Sequence, residues 1–212
     1  IEQTDIQNAI NNTNQLFAPI GADFELCSLD TLPNYRYDTL SRQREFIELQ
    51  SKFHQAHRIN IYLVSLISDP FIPDDWGFTT PGGINLYNSG AIVIEKEFLN
   101  RALPHELGHF FGLLNTYENG NELVDGSNCA TAGDRICDTA ADPYIEGTPP
   151  ASGINEECIF IREVEDANGD QYMPDVCNAM SRYFREGCGV DFSHEQLKRM
   201  AENYLNGPKL MW

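Results

Sequence analysis

Residues 104–117 read PHELGHFFGLLNTY and contain the HExxH pattern, formed by His105, Glu106 and His109. On a helix, positions i and i+4 project from the same side, so the two histidines can offer imidazole nitrogens to one zinc ion. From the neighbouring position, Glu106 can take a proton from a zinc-bound water and deliver it to a leaving amine. The stretch therefore predicts a zinc centre with Glu106 as its general base.

The residues that flank HELGH favour this interpretation over an ordinary helix with solvent-facing histidines. A bare HExxH carries an appreciable risk of being a chance match. Here large apolar neighbours predict a deeply buried helix, and burying two histidines and a glutamate without a partner is costly. These neighbours are Leu103, Leu107, Phe110, Phe111 and Leu113.

Gly112 and Asn115 determine how the chain continues after the helix. A straight helix cannot return residue i+10 to a metal held by residues i and i+4, and Gly112 allows the left-handed conformation that ends a helix. Three residues later, Asn115 would then lie below the metal, and its amide oxygen is a weaker and harder ligand than imidazole. Asn115 could ligate through its oxygen, or Glu118, Asp125 or a second water could complete the shell. Alternatively, zinc is lost from the site.

The composition bounds the class of protein. The 212-residue chain is 42% hydrophobic, enough for one sizeable core or two small lobes. Its net charge of −18 argues against nucleic acid and anionic membranes as partners. No apolar run is long enough to span a membrane, and the chain begins at Ile1 without a leader, as expected of a mature or trimmed segment. Six cysteines without a CxxC pair favour disulfides in an oxidising compartment over a zinc ribbon.

Hydrophobic periodicity predicts an α+β organisation, with helices and strands first, an irregular region over residues 115–192 and a closing helix. Pro104 is tolerable only near a helix start, which places the beginning of the HExxH helix around residues 100–103. Ser193 and Gln196 form a capping box for the closing helix. The predicted helices cover residues 4–17, 40–57 and 193–205, the predicted strands cover residues 21–29, 59–67 and 91–98, and a long loop with a turn is predicted over residues 69–90.

Four segments, in order, resemble the pappalysin branch of the metzincin zinc peptidases. HELGHFFGLLNTYE (105–118) is similar to that branch's HExxHxxGxxH pattern, and GDRICDTAADP (133–143) resembles its GDxxxDTPADP segment. NAMSRY (178–183) resembles its methionine turn, and CGVDFSHEQLKRM (188–200) resembles its closing helix.

The resemblance implies a secreted zinc endopeptidase with a metzincin-like zincin fold. Such a fold has a twisted mixed sheet and two long helices above an active-site cleft, and an irregular lower lobe stabilised by disulfides and calcium, with a C-terminal helix. One catalytic domain would cover residues 1–212, with an upper subdomain 1–112 and a lower subdomain 113–212. Met180 would form the hydrophobic floor under the zinc ion. An edge strand would pair with an extended peptide or protein substrate, and a monomer is expected.

The sequence departs from the family pattern at functional positions. Asn115 replaces the third histidine, and Arg182 replaces a methionine-turn tyrosine that helps to hold the tetrahedral intermediate. Arg182 could stabilise an oxyanion as a cation, or Tyr183, one residue later, could take the tyrosine's place. Ala140, which replaces a proline, is a minor change.

Two segments are candidate calcium sites. Asp134 and Thr139 match positions at which relatives bind calcium. Separately, the loop DANGDQYMPD (166–175) places oxygen-bearing side chains at alternating positions, which suits a calcium ion. A solvated turn rich in Asp and Asn fits this second loop equally well. Its candidate ligands are Asp166, Asn168, Asp170 and Asp175.

The order of cysteines in such relatives also implies disulfide pairings. Cys188 is expected to bridge to Cys158 or Cys129. Cys27 is expected to tie the first lobe to the second.

The leading hypothesis is a secreted, calcium-stabilised zinc metalloendopeptidase. The alternative is a catalytically impaired pseudopeptidase that binds peptide or protein through the same cleft, because Asn115 and Arg182 both occupy functional positions. A third class, a calcium-dependent adhesion or structural module, would need neither His105 nor His109.

Overall fold

The structure is a computed structural model that describes eight stretches of the chain: residues 1–32, 35–40, 45–68, 77–80 (backbone only), 91–118, 120–143, 153–185 and 187–206. The chain forms two compact units. The first unit comprises Ile1–Gly112 with Ala201–Trp212, and the second comprises Leu113–Met200. In the part of the chain that is described, no helix is long and apolar enough to cross a membrane.

Four α-helices lie in the described stretches: α1 (Gln3–Phe17), α2 (Glu45–Phe53), α3 (Leu99–Phe110) and α4 (His194–Asn206). The helices predicted near both ends of the chain are confirmed to within a residue. The helix predicted over residues 40–57 is confirmed only in its centre, and residues 41–44 lie outside the described stretches.

The described strands are β1 (Thr39–Leu40), β2 (Asn60–Val64), β3 (Leu66–Ile67), β4 (Gly77–Thr80) and β5 (Ala91–Glu95). They form a mixed sheet in the order β2–β5–β4, in which β5 runs parallel to β2 and antiparallel to β4. A separate parallel pair joins β1 to β3. Every residue of β5 is buried, as expected of a central strand with an almost continuous apolar run. Helix α3 packs on β4, β5 and α1 and therefore lies at the centre of the first unit.

The strand predicted over residues 21–29 is wrong. Alternate side chains there, such as that of Phe24, are half-buried, so the period-two pattern is real. Its backbone pairs with no described strand, however. Instead, the Asn14 side chain donates from Nδ2 to the Phe24 carbonyl at 3.0 Å, and its Oδ1 accepts from the Phe24 amide at 2.9 Å. One side-chain amide thus supplies to Phe24 the two hydrogen bonds that a strand ladder would have supplied.

Other predicted boundaries also need correction. Residues 77–80 form β4 inside the predicted loop, whose remaining residues lie outside the described stretches. The strand predicted over residues 59–67 divides at Ser65, and that over residues 91–98 gives way to a 3₁₀ turn at Lys96–Phe98.

Helix α3 starts at Leu99, one residue before the predicted window. Pro104 therefore lies inside the helix, where its missing N–H leaves the Asn100 carbonyl without an intrahelical donor. Asn100 is exposed, so solvent can serve this carbonyl. The helix thus begins one residue earlier than predicted, and its first turn exposes Asn100 but buries Leu99 and Ala102.

The end of α3 is fixed by Gly112 and Asn203. Gly112 has φ +89°, the left-handed conformation expected of a residue that ends a helix. Asn203 of α4 donates from Nδ2 to the Phe111 carbonyl at 2.8 Å and caps this terminus. A Cβ atom on Gly112 would clash with that Nδ2, so the glycine makes room for the cap.

The second unit is irregular, as predicted for residues 115–192. Between α3 and α4 the described residues show only isolated bridges, such as Ile154 with Phe160, and disulfides pin the chain. The disulfides are Cys129–Cys137 and Cys158–Cys188, which confirms Cys158 as the partner of Cys188. The expectation for Cys27 is wrong, since Cys27 is exposed and forms no disulfide.

Replacing Gly112 with alanine should lower the free energy of unfolding by roughly 2–4 kcal/mol, the sum of left-handed strain and a lost capping bond. Gly21→Ala is the matched control, because Gly21 also has positive φ (+70°) but a Cβ there meets nothing within 4 Å. It should show the strain alone. Urea unfolding measures both, and equal losses would contradict the proposed displacement of Asn203.

Candidate metal centre

His105 and His109 bring two ring nitrogens together on α3. Their Nε2 atoms lie 3.1 Å apart, and the rings stand perpendicular with centroids separated by 4.6 Å. Two nitrogens bound to one tetrahedral zinc ion at the usual distances would lie about 3.3 Å apart. The pair therefore fits a zinc ion with a shift of only a few tenths of an ångström.

Glu106 lies between these histidines in sequence and is only 2% exposed. Leu103 and Leu107, which flank it on the helix, are buried as well, so the predicted depth of this helix is confirmed. An ionised carboxylate at this depth is costly unless a cation or hydrogen-bond donors stabilise it. Its position suits a proton-accepting group beside a metal.

The side-chain oxygen of Asn115 receives no hydrogen bond from the described residues and is therefore available as a ligand. Its Nδ2 donates to the Glu118 carboxylate at 3.2 Å, whereas its Oδ1 is buried and accepts no hydrogen bond from the described residues. Glu118 thus takes up the amide's donor side and leaves the acceptor side available. Asp125, another candidate for the third position, is exposed and accepts the Ser127 amide at 2.9 Å.

In the described stretches, no group of three or more His, Cys, Asp or Glu side chains is arranged to hold a metal ion. The donors that the sequence predicts for zinc are two imidazoles and one amide oxygen. Such a set has one neutral oxygen where a third imidazole would stand in the family pattern.

The methionine turn is held by side-chain amides. Met180 is fully buried, its N–H donates to Asn178 Oδ1 at 2.9 Å, and its carbonyl accepts the Thr116 amide at 3.1 Å. Asn178 and Gln196 exchange two hydrogen bonds, of 2.9 and 3.1 Å. Gln196 Oε1 also accepts the Ser193 amide, and Ser193 Oγ accepts the Gln196 amide, so the structure contains the predicted capping box. One glutamine therefore caps α4 and holds the methionine turn.

The two candidate stabilisers of the reaction intermediate differ in environment. Arg182 is half-buried and hydrogen-bonds the Tyr117 hydroxyl; burial raises the pKa of Tyr117 to about 12, although Arg182 opposes the rise. Tyr183 is fully buried, stacks near Phe160 and donates its hydroxyl to the Pro143 carbonyl at 2.9 Å. That environment favours a core role for Tyr183 and leaves Arg182 as the candidate.

Asp142 is a buried acid to which the sequence patterns assign no role. Its Oδ2 accepts the Thr116 hydroxyl at 2.5 Å and the Ser181 hydroxyl at 2.9 Å, while Oδ1 is buried with no donor among the described residues. Burial raises the pKa of Asp142 to about 7, against the lowering effect of the two hydroxyls. Its place in GDRICDTAADP is the only sequence signal for it.

The predicted calcium ligands Asp134 and Thr139 lie together in this unit. Asp134 is fully buried, its Oδ1 accepts the Ile136 amide and lies 3.0 Å from the Thr139 hydroxyl, and burial raises its pKa. The same hydroxyl lies 2.7 Å from the Ile136 carbonyl, which makes a compact set of three oxygens. Burial, together with the charges of Asp134 and Asp142, raises the pKa of nearby Glu122 to about 7.

The second predicted calcium loop is organised differently. Asp166 Oδ1 accepts the Asn168 and Asp170 amides, and Oδ2 accepts the Val124 amide; these bonds lower its pKa. Asp175 accepts the Cys177 amide at 2.9 Å. The arrangement is that of an Asx turn, the alternative that the sequence left open. Calcium binding by these residues stays a prediction.

Two histidines face each other on a buried helix, with a glutamate between them in sequence. This arrangement is typical of metallopeptidases. The chain belongs to the peptidase M43 family, described as pregnancy-associated plasma protein-A, whose model matches residues 77–205. This finding confirms the predicted pappalysin membership.

Several curated relatives are named extracellular metalloproteases. Two from Aspergillus fumigatus strains are 32% identical over 130 residues, which is 60% of this chain and 32% of each relative. One from Colletotrichum graminicola is 25% identical over 199 residues, 88% of this chain and 63% of the relative. The chain thus spans about a third of the length of the Aspergillus relatives.

Solved structures of mirolysin share the fold. Mirolysin in complex with compound 9 matches with a TM-score of 0.59 and 18% identity, covering 95% of this chain and 84% of that one. Mature mirolysin of Tannerella forsythia in complex with a cleaved peptide matches with a TM-score of 0.55 and 17% identity, covering 94% and 83%. The predicted α+β, metzincin-like fold class is confirmed at this level.

The raised pKa of Asp142 predicts how stability depends on pH. Between about pH 4 and 7 the folded state holds a proton that the unfolded state has released, so this group's contribution to the free energy of unfolding falls as pH rises. The stability of the wild type relative to Asp142→Asn should therefore drop by roughly 2–4 kcal/mol across that window. Urea unfolding at several pH values, with chelator present, measures it. A difference that does not change with pH would contradict the raised pKa.

Proposed function

We propose that the chain is a secreted, zinc-dependent metalloendopeptidase. The observation that supports this most directly is the 3.1 Å approach of the His105 and His109 Nε2 atoms on the helix that buries Glu106. Membership of a peptidase family and relatives named as extracellular metalloproteases support both the chemistry and the secretion.

In this proposal His105, His109 and the Oδ1 atom of Asn115 hold the zinc ion. The orphaned, buried Asn115 oxygen supports the amide as a ligand, and Glu118, which accepts the Asn115 Nδ2–H, supports its orientation. When bound, zinc supplies Lewis-acid polarisation of the scissile carbonyl and lowers the pKa of a water molecule.

The chain's own groups would do the rest of the chemistry. Glu106 takes a proton from the attacking water and passes it to the leaving amine nitrogen. Arg182 offers a cation for the negative charge that develops on the carbonyl oxygen. Met180 provides an apolar floor for the site.

We further propose that residues 1–212 act as a single catalytic domain and as a monomer, on peptide or protein substrates. The mirolysin structure that contains a cleaved peptide supports this substrate class, since that protein shares the fold. A pseudopeptidase that binds such ligands without cutting them is the alternative, and a casein assay distinguishes the two.

Calcium would stabilise the second unit through Asp134 and Thr139. The compact set of oxygens around Asp134, and the raised pKa values of Asp134 and nearby Glu122, support a bound cation there, because a cation would offset the crowding of buried acids.

The purified protein should bind one zinc ion and digest casein, and Glu106→Gln should retain zinc but lose at least about 10³-fold in kcat/KM because its general base is gone. His105→Ala should lose zinc itself. Elemental analysis after zinc reconstitution and a casein assay measure the two properties separately. Wild-type protein that binds zinc yet leaves casein intact would favour the pseudopeptidase.

Asn115→His is the companion variant, because it restores the family's imidazole. Zinc affinity should rise by roughly tenfold or more, as expected when imidazole replaces an amide oxygen. An unchanged affinity in a chelator-competition titration would show that another group, and not residue 115, completes the zinc shell.

Calcium should raise the melting temperature of the wild type, and Asp134→Asn should remove most of that increase because its carboxylate is a proposed ligand. Asp166→Asn is the matched variant in the second predicted loop. Thermal melting in calcium and in EGTA measures both. Loss of the calcium effect in Asp166→Asn alone would move the site to residues 166–175.

A further inference from the structure

We propose that Asp142 is a positioning residue that fixes the segment carrying Asn115 onto the methionine turn. Its carboxylate connects Thr116, the residue directly after Asn115, to Ser181, the residue directly after Met180. All of these residues belong to the second unit.

The connection is made through a single oxygen. Asp142 Oδ2 accepts hydrogen bonds from both hydroxyls, at 2.5 Å from Thr116 and 2.9 Å from Ser181. Alongside it, the Thr116 amide donates to the Met180 carbonyl at 3.1 Å. The two segments are 64 residues apart in sequence along this backbone bond, so local chain geometry does not hold them together.

Because the three side chains are buried, losing their hydrogen bonds would be costly. Asp142 is 3% exposed, and Thr116 and Ser181 are equally inaccessible. A buried hydroxyl that loses its acceptor costs free energy. Removing the carboxylate would take this acceptor from Ser181 and leave the Thr116 hydroxyl only the longer, 3.3 Å contact with the Met180 carbonyl. The response that costs the least free energy is local. The Thr116 segment moves away from the methionine turn, and Asn115 moves with it.

The shape of the acceptor explains how one residue can serve both donors. A carboxyl oxygen presents two lone pairs and can therefore accept from two hydroxyls at once. Arg182 lies near enough to lower the pKa of Asp142, which partly offsets the burial. Asp142 thus acts on Asn115 only through Thr116, as outer groups act on metal ligands elsewhere.

The predicted effect of Asp142 on zinc affinity rests on the proposed function, whereas its hydrogen bond with Thr116 does not. The test therefore has two readouts: hydrogen exchange at the Thr116 amide in metal-free protein, followed by NMR, and zinc affinity from chelator competition. The Ile161 amide, which donates to the Gly153 carbonyl at 2.8 Å in the same unit, is the internal reference for global loosening.

Three variants separate positioning from mere folding. Asp142→Leu keeps the approximate volume but removes the acceptor; Asp142→Asn keeps a neutral acceptor oxygen for both hydroxyls. Asp138→Asn is the control, since Asp138 in the same segment accepts the Ser193 hydroxyl at 2.6 Å and the Glu195 amide at 2.9 Å but does not touch the methionine turn.

Asp142→Leu should speed exchange at Thr116 by about tenfold or more, without a matching change at Ile161. Its zinc dissociation constant should rise by about 10–100-fold, the range found when groups behind metal ligands are removed. Asp142→Asn should stay close to the wild type in both readouts, and Asp138→Asn should leave both unchanged. If Asp142→Leu does not fold, Thr116→Val and Ser181→Ala remove the two donors singly and should each show the same effects in smaller measure.

Unchanged exchange at Thr116 in Asp142→Leu would overturn the proposal, as would an Asp142→Asn variant that is as damaged as the leucine variant. A wild type that binds no zinc would refute the proposed function alone, because the exchange measurement in metal-free protein would still decide whether Asp142 holds Thr116.

Discussion

Helix α3 has to bury both an apolar surface and the polar side chains of His105 and Glu106, and the rest of the structure depends on that constraint. Its apolar residues pack on the central strand β5 and on α1, so the helix cannot turn its histidines to solvent without losing the core of the first unit. Large apolar side chains are worth about 1.5–3 kcal/mol each when buried. That stabilisation holds His105 and Glu106 in a position where they need a charged or hydrogen-bonding partner.

The second unit is stabilised in a different way from the first. Apart from the start of α4, its described residues form only isolated β-bridges. Its apolar cluster of Ile154, Phe160, Val176 and Tyr183 is small. Disulfides and buried polar bonds replace an extended core there. The Asn178–Gln196 amide pair and the Asp142 hydroxyl bonds tie together residues far apart in sequence. Such networks specify one arrangement only while every member is satisfied, which makes this unit sensitive to single polar substitutions.

The sequence predicts those features that depend on local pattern. The HExxH helix, the left-handed Gly112 and the capping box of α4 all follow from residues a few positions apart, and the structure shows each of them. The strand predicted at residues 21–29 is wrong because period-two burial does not require a strand partner, and the backbone of Phe24 bonds the Asn14 side chain instead. The role of Asp142 cannot be predicted from the sequence, for a related reason. Its role depends on donors that the fold brings from residues 116 and 181, and no spacing in the sequence encodes that meeting.

Asn115 is the residue at which this chain departs from the zinc-ligand pattern of its family. An amide oxygen donates less electron density than imidazole, so a metal ion held by it would bind more weakly and keep more of its positive charge. Weaker binding lowers occupancy, whereas a greater residual charge favours ionisation of water. These effects oppose each other, so the substitution alone does not imply an inactive site. Its consequence depends on how firmly the oxygen is held in place. Glu118 fixes the amide from one side, and the Thr116 bonds fix its backbone from the other. Such restraint offsets part of the weakness of the ligand, because less conformational entropy is then lost when the metal binds.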